Sequence, residues 1–531
     1  MPSPRSTLSK STSRCDLFSG FQDQVRRSMP ASANIPLAVG DWAERMPIVL
    51  DRGPFSFGKH EYLAGPYADD HPRQVEMKCA QMGNTTRAIL RMLHSALARK
   101  DMVGLLYLFP SRRGSGEFSR TRVTPLIERN PDHIGRHIQD TDSVEVKRLA
   151  GKNLLFRGTR ATEGLRSDPV DMIIYDEFDL FPAGVDAVAK ERLSHSELKW
   201  EHYLSNPTIP DWGIDRLFKI TDQRYWLLKC PKCNEYTCLE DTFPDCLHER
   251  PGGQVVRQCM KCRDADLDPA VGAWVAKHPS VENHRGYHYS QLFSQYVSPE
   301  AILEEYRTTS SPAAFHNYKL GLPYADAENQ ISVEAVLALC GTHGIAASDT
   351  GPCYMGVDQG KLLHVVIAKR HPDRIVHLAE YRDWAELDRL MRDFKVSRCV
   401  VDAMPETRNA KTFADKFPRK VFLCYYANRR DGTPQWHEGK QTVSAGRTEA
   451  LDLARKQLID AVVTLPKQCQ PVELFARHVY NTAKKLEDDG QGNVSYTYVR
   501  LGDDHFMHAY AYATLAMKRS EESIFGDADF S

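Results

Sequence analysis

Apolar and polar positions change rhythm several times along the chain. Between about residues 45 and 225, short apolar runs such as Val103 to Phe109 and Asp171 to Tyr175 alternate with helical stretches such as Thr86 to Ala98. That alternation predicts an α/β unit built on a parallel sheet. Clustered cysteines break the pattern at residues 226–265, and residues 285–345 read as a helical connector ending in polar, Gly-containing sequence. Past 345, Cys353 to Lys369 and Arg374 to Glu380 predict a β-hairpin, followed by a helix over Trp384 to Phe394 and a strand over Arg398 to Val401. This is a second α/β unit. Residues 1–40, rich in Ser, Arg and Pro with little periodicity, read as a flexible or partner-binding arm. The expected organisation is therefore an arm at 1–40, a first unit at 41–345 carrying the insertion 226–265 and connector 285–345, a second unit at 346–520, and a tail at 521–531. No internal repeat or long low-complexity tract is evident.

Length supports two principal units, because 531 residues exceed what one hydrophobic core usually serves. With 42% hydrophobic and 26% charged residues, there is ample apolar material for two cores. A formal net charge of -1 gives no global basic field, so any nucleic-acid surface must be a local patch. Thirteen cysteines, an odd number, with no apolar leader after Met1, argue against a secreted disulfide framework and for a reducing cytoplasm. No window approaches the roughly 18 apolar residues of a membrane span.

Val75-Glu76-Met77-Lys78-Cys79-Ala80-Gln81-Met82-Gly83-Asn84-Thr85-Thr86-Arg87 joins a short strand to a helix. In that context backbone N–H groups can cradle phosphate, Lys78 can neutralise it, and Thr85 or Thr86 can assist magnesium. The usual G-x-x-x-x-G-K-[ST] spacing is absent, since Gly83 stands alone and Lys78 precedes it; an ordinary solvated helix start has the same local composition. Val170 to Tyr175 then delivers Asp176 and Glu177 at the end of an apolar strand, where one acid can orient magnesium and the other polarise water. Leu204-Ser205-Asn206-Pro207-Thr208 follows; its Ser205, Asn206 and Thr208 can sense a γ-phosphate or simply make a turn.

Cys230-Pro231-Lys232-Cys233 and Cys259-Met260-Lys261-Cys262 are two C-x-x-C knuckles, the spacing of a closed four-thiolate structural zinc site. Cys238, Cys246 and His248 lie between them as less regular alternatives. In the second unit, Asp358 in Gly356-Val357-Asp358-Gln359-Gly360 and Asp402 in Val400-Val401-Asp402-Ala403 end apolar strands. Two such carboxylates can share divalent metal, although strand-end Asp residues also simply begin turns. A third ligand is sought in Gly502-Asp503-Asp504-His505-Phe506-Met507-His508, where an acid opens a helix. Helix capping alone explains an Asp there. Residues four apart share a face, however, so Asp504 and His508 can point together. Asp504 is favoured, with Asp503 and His508 left open. Lys361, Arg408, Arg429, Arg430, Lys440 and Arg447 can line a phosphate-tracking groove, or be ordinary surface charge.

Taken in order, Lys78 to Thr86, Ile173 to Glu177 and Ser205 to Thr208 resemble the deviant Walker A, Walker B and coupling motifs of lambda-type terminase large subunits, in which the lysine stands early in the loop. Gly53-Pro54-Phe55, Tyr62-Leu63 and Leu320-Gly321-Leu322-Pro323-Tyr324 resemble further segments of that family, as does Arg447 to Asp452, and the similarity runs from about residue 40 to 515. The resemblance implies an N-terminal P-loop-type ATPase with a parallel sheet, a zinc-ribbon-like insertion and a C-terminal RNase H-like nuclease. It further implies ATP, Mg2+ or Mn2+, and Zn2+ as cofactors. Double-stranded DNA, a small terminase subunit, a portal protein and a procapsid are the implied partners, with a homo-oligomer on the portal. The setting would be the cytoplasm of an infected bacterium. Relatives often carry a second acid where this chain has His508. The rival readings are a helicase-type or restriction-type motor-nuclease and a non-catalytic zinc-containing nucleic-acid binding protein.

Overall fold

A computed structural model describes residues 38–160, 169–182, 184–325, 329–427, 433–488 and 494–526. The expected arm up to residue 37, the last five residues of the tail, and Arg429 and Arg430 lie outside the described residues.

The first unit is organised by strands β1 (Arg73–Lys78), β2 (Gly104–Phe109), β3 (Ile138–Asp142), β4 (Val146–Leu149), β5 (Lys152–Gly158), β6 (Met172–Asp176), β7 (Trp200–Ser205), β8 (Arg224–Lys229), β9 (Tyr236–Thr237), β10 (Gly272–Ala276) and β11 (Arg285–Tyr289). They form one 11-stranded sheet in the order β9-β8-β11-β1-β7-β6-β2-β5-β4-β3, with β10 beside β8. The middle, from β11 through β5, is parallel, and the edges are antiparallel. Parallel strands must be covered on both faces. Along β2 the alternation meets that need: Leu105 and Tyr107 join Phe156, Ile174 and Leu204 in one core, whereas Leu106 and Leu108 join Val75, Ile173 and Tyr175 in another.

Two features differ from expectation. The stretch 285–345, read as a helical connector, opens with β11, which lies parallel against β1 in the middle of the sheet. Its sequence, Arg285-Gly286-Tyr287-His288-Tyr289, is too short and too polar to announce a buried strand. The cysteine-rich segment likewise is not a separate appendage at its start, because β8 and β10 belong to the large sheet.

The second sheet has seven strands: β12 (Cys353–Gln359), β13 (Leu363–Lys369), β14 (Arg374–Tyr381), β15 (Val396–Asp402), β16 (Val421–Ala427), β17 (Gln435–His437) and β18 (Thr442–Gly446), in the order β14-β13-β12-β15-β16-β18-β17. The stretch expected as one hairpin is a three-stranded antiparallel meander, because Gly360 and Lys361 turn the chain within the first apolar run. From β12 through β15 and β16 to β18 the pairing is parallel, so β12 and β15 are neighbours and their ends coincide. The helices include α1 (Asn84–Ala98) in the first unit and α2 (Trp384–Asp393), α3 (Thr407–Lys416), α4 (Arg447–Ile459) and α5 (His505–Gly526) in the second. Helix α5 lies directly on β12. At Gly356 a Cβ would overlap backbone atoms of Ala509 and Ala513, so only glycine permits this approach. A hairpin, β19 (Thr482–Asp488) and β20 (Val494–Arg500), precedes α5.

Candidate functional site

Strand β1 ends on Lys78, and the chain turns through Gly83 in the left-handed region (φ 88°) to start α1. Beneath this loop Glu76, fully buried, receives Asn84 (2.7 Å) and Arg87 of α1 and lies 3.1 Å from His202 of β7. Burial alone would raise the Glu76 pKa; the Arg87 and His202 charges outweigh it and hold the carboxyl at about 2. The helix start is thereby fixed to the sheet by a buried carboxylate that is itself paired and hydrogen-bonded. Tyr62 from the lead-in segment donates to Met82 O (3.2 Å), and Cys79 N donates to Tyr289 O of β11 (2.9 Å). At Gly321 of the connector a Cβ would strike the Cys79 amide, so this glycine lets the connector close against the loop.

The acids of β6 face the same loop. Asp176 is buried and accepts from Tyr107 (2.8 Å) and Thr85 (3.4 Å). Burial raises its pKa, against the opposing pull of Lys78 and the Tyr107 hydroxyl. Glu177 follows at an exposed turn with φ 59°. Lys78 reaches Asn206 Oδ1 (3.4 Å), and Thr86 accepts from Arg122 (3.3 Å). Lys78, Gly83, Thr85, Thr86, Asp176, Glu177 and Asn206 thus gather at one end of the parallel strands, where such sheets bind ligands. Ser205 and Thr208 are engaged differently: Asp179 N donates to Ser205 Oγ (3.1 Å), while Thr208 N and Oγ1 donate to Asp179 Oδ2 (2.9 and 2.8 Å). Ile214 N donates to the other carboxylate oxygen (2.6 Å). Burial pushes Asp179 up to about 6 despite these bonds.

Cys230, Cys233, Cys259 and Cys262 come together, with Sγ separations of 3.8 Å for Cys230 to Cys262 and 3.7 Å for Cys233 to Cys259. Cys238 and Cys246 are turned instead to Glu240 and to Leu239 O, and with His248 they stand outside this cluster among the described residues.

In the second sheet Asp358 and Asp402 end the adjacent strands β12 and β15. Burial, reinforced by Asp358, pushes Asp402 up to about 6. Asp504 is buried at the start of α5, 3.4 Å from His508 Nε2 and 3.3 Å from Arg500 Nε. Burial would raise it, but the His508 contact and Arg500 hold it below the usual carboxylate range. Asp503 is exposed and pairs with Arg500 (2.7 Å). His508 also meets Tyr426 Oη (3.1 Å). Of the basic residues singled out, Lys361, Arg408 and Lys440 are exposed, whereas Arg447 donates to Tyr498 O.

A family model, "Phage terminase large subunit gpA, ATPase domain", matches residues 52–268. Over these residues the chain is similar to the gpA family of phage terminase large subunits. The match contains Lys78, Gly83, Thr85, Thr86, Asp176, Glu177, the 205–208 segment and all four clustered cysteines. No curated protein matches the chain. Among solved structures, the HK97 bacteriophage large terminase is 15% identical, with 90% of this chain and 98% of that one covered and a TM-score of 0.49. A large terminase from a thermophilic bacteriophage, in complex with ATP-gamma-S, is 13% identical, covering 88% and 100% at a TM-score of 0.31. The large terminase nuclease of thermophilic phage G20c with bound magnesium is 15% identical, covering 36% and 98% at a TM-score of 0.25. No helix among the described residues is long and apolar enough to cross a membrane.

Several residues of these sites carried weaker sequence signals. Asp179 is the third acid of Asp176-Glu177-Phe178-Asp179, hidden because a run of acids reads as solvated. Tyr107 lies in an apolar run and reaches Asp176 only through its hydroxyl. His364 interrupts the apolar run of β13, and His505 adjoins Asp504; both face Asp358.

Proposed function

We propose that this chain is a gpA-type terminase large subunit that couples ATP hydrolysis to translocation of double-stranded viral DNA into a procapsid and cuts concatemeric DNA with a metal-dependent endonuclease. The observation carrying this reading is that Lys78, Thr85, Asp176 and Glu177 converge at one end of the parallel strands inside the matched ATPase segment. Lys78 neutralises nucleotide phosphates, Gly83 leads into the helix N-terminus that receives them, and Thr85 or Thr86 with Asp176 holds magnesium. The donor set fits: Asp176 is a buried carboxylate with a hydroxyl 3.4 Å away and a lysine near enough to oppose the rise that burial causes in its pKa. Magnesium supplies charge neutralisation of the phosphate oxygens when bound. Glu177, exposed at its turn, orients and polarises the attacking water. Asn206 touches Lys78 and is placed to sense the phosphates, while Ser205 and Thr208 tie that segment to Asp179.

The motor is assigned to 41–345 and the nuclease to 346–520, where Asp358, Asp402 and Asp504 supply carboxylates for divalent metal. His508 is assigned the positioning of Asp504, and Asp503 no ligand role, because it is exposed on Arg500. Zinc is assigned to Cys230, Cys233, Cys259 and Cys262. A tetrahedron with bonds of ~2.3 Å has edges of about 3.8 Å, close to the observed 3.7 and 3.8 Å. Partners are the small subunit, portal and procapsid, with a homo-oligomer acting in the host cytoplasm. The test is a packaging reaction with purified procapsids, ATP and DNA. Nuclease-protected DNA should accumulate only with ATP hydrolysis; DNA-stimulated ATPase with no protected DNA would favour a different DNA motor.

A further inference from the structure

Beside the carboxylates lies a donor set of another kind. Asp358, His364 and His505 each offer one ligand atom within 4.8 Å of the others. The sheet register creates this, for His364 on β13 stands opposite Asp358 on β12 and opposite Glu380 on β14. His505 opens α5 from above and approaches Asp358 Oδ2 through Nδ1 at 2.8 Å. The two imidazoles stack at 4.6 Å with an 18° tilt.

The decisive detail is how His364 is held. Its side chain is only 6% exposed, and its Nε2 lies 2.9 Å from Glu380 Oε1. Its Nδ1 is buried and without a hydrogen-bond partner. A buried imidazole nitrogen with nothing to bond is costly. A carboxylate on one ring nitrogen fixes the tautomer that leaves the lone pair on the other, which is how metal-binding histidines are supported from behind. His505, 27% exposed, leaves an approach from solvent. Arg500 lies 3.4 Å from His505, but Asp503 and Asp504 both pair with its guanidinium.

We propose that Asp358, His364 and His505 bind one divalent first-row transition ion, with Glu380 as the positioning residue for His364. Two imidazoles and one carboxylate suit Mn2+, Fe2+, Co2+, Ni2+ or Zn2+ and are poor ligands for Mg2+, which demands oxygen. With bonds of ~2.1 Å, ligand atoms stand about 3 to 4.3 Å apart, so closing the set takes sub-ångström to ångström movement of side chains. The proposal deepens the nuclease reading, on which it rests for the use made of the ion; the ligand set itself follows from the geometry.

The test uses the purified full chain titrated with Mn2+ and examined by electron spin echo spectroscopy for 14N coupling, alongside Mg2+-supported and Mn2+-supported DNA cutting. Bound Mn2+ should show imidazole nitrogen coupling that persists in Asp402→Asn and His508→Asn and is lost or halved in His364→Asn and His505→Asn. Because His364 is buried, the milder Glu380→Gln serves as a second probe and should weaken Mn2+ binding by roughly tenfold or more; a wild-type thermal melt and circular dichroism spectrum report that each variant is folded. Mn2+ bound without nitrogen coupling, or coupling lost only in His508→Asn, overturns the proposal. Mg2+-supported cutting with no nitrogen signal overturns this site and leaves the nuclease reading standing. Nitrogen signal in a chain that cuts with no metal supports the site and overturns the nuclease reading.

Discussion

Thr208→Val tests whether Asp179 clamps the turn after Asp176 and Glu177 to the 205–208 segment. Valine keeps the shape of threonine and leaves the Thr208 N to Asp179 Oδ2 bond of 2.9 Å in place, so only the 2.8 Å hydroxyl bond is removed. A hydrogen bond to a charged group is worth about 1.5 to 3 kcal/mol. Thr208 is half-buried, so water can replace part of that, and about 1 to 2 kcal/mol is the expected loss. The segment is also held by Asp179 N on Ser205 and by Tyr324 N on Thr208 O (3.1 Å), so it should loosen without detaching. Lys485 of the hairpin before α5 donates to Asp179 O, which places the clamp against that hairpin. If the loosened clamp raises the hydrolytic barrier by the same amount, kcat falls roughly five- to thirtyfold at ~1.4 kcal/mol per decade. KM for ATP should change little, because Lys78 and Asp176 are untouched. Steady-state ATPase with and without DNA, together with thermal melting, measures both effects. Wild-type kcat and an unshifted melting temperature would refute the clamp.

Elemental analysis should find about one zinc per chain, and Cys259→Ser should lower it toward zero with loss of stability in the matched ATPase segment; metal-free protein with an undisturbed fold would contradict the assignment. Asp402→Asn and Asp504→Asn should each abolish metal-dependent cutting while sparing ATPase, whereas Asp503→Asn should cut normally; the reverse result for the last two would exchange their roles. Gly356→Val should cost more than the ~1–3 kcal/mol of ordinary overpacking, because the new side chain meets the α5 backbone; normal melting would refute that packing argument. Asp179, raised from 3.8 to about 6, contributes stability that is full below pH ~4 and lost as pH rises through about 6. That difference corresponds to roughly 3 kcal/mol. Melting of the wild type should therefore fall more between pH 4 and 7 than that of Asp179→Asn, and parallel curves would contradict the shift.

The parts legible in the sequence were those with a local cause. β6 is a continuous apolar strand ending in two acids, and the knuckle spacing of the cysteines is itself a geometric statement. Asp358 and Asp402 could be paired in advance because each ends an apolar strand, and the parallel register of β12 with β15 brings those ends side by side. What escaped depends on partners distant in the chain. β11 is polar in sequence and becomes a central strand only because β1 and β8 lie on either side of it. Asp179 and Thr208 are 29 residues apart, and His364 and His505 are brought to Asp358 by cross-strand register and by the close seat of α5 on Gly356. Asp503 and Asp504 are indistinguishable as letters; burial separates them, with side-chain exposures of 74% and 5%.

If Glu177 activates water at an ATP site built on Lys78 and Asp176, Glu177→Gln separates nucleotide binding from hydrolysis. Equilibrium binding of a fluorescent ATP analogue and steady-state hydrolysis are to be measured on the same purified protein. Binding within about twofold of wild type with hydrolysis reduced by a hundredfold or more, as expected when a positioned general base is removed, is the predicted result. Wild-type turnover in Glu177→Gln would contradict the assignment of this site.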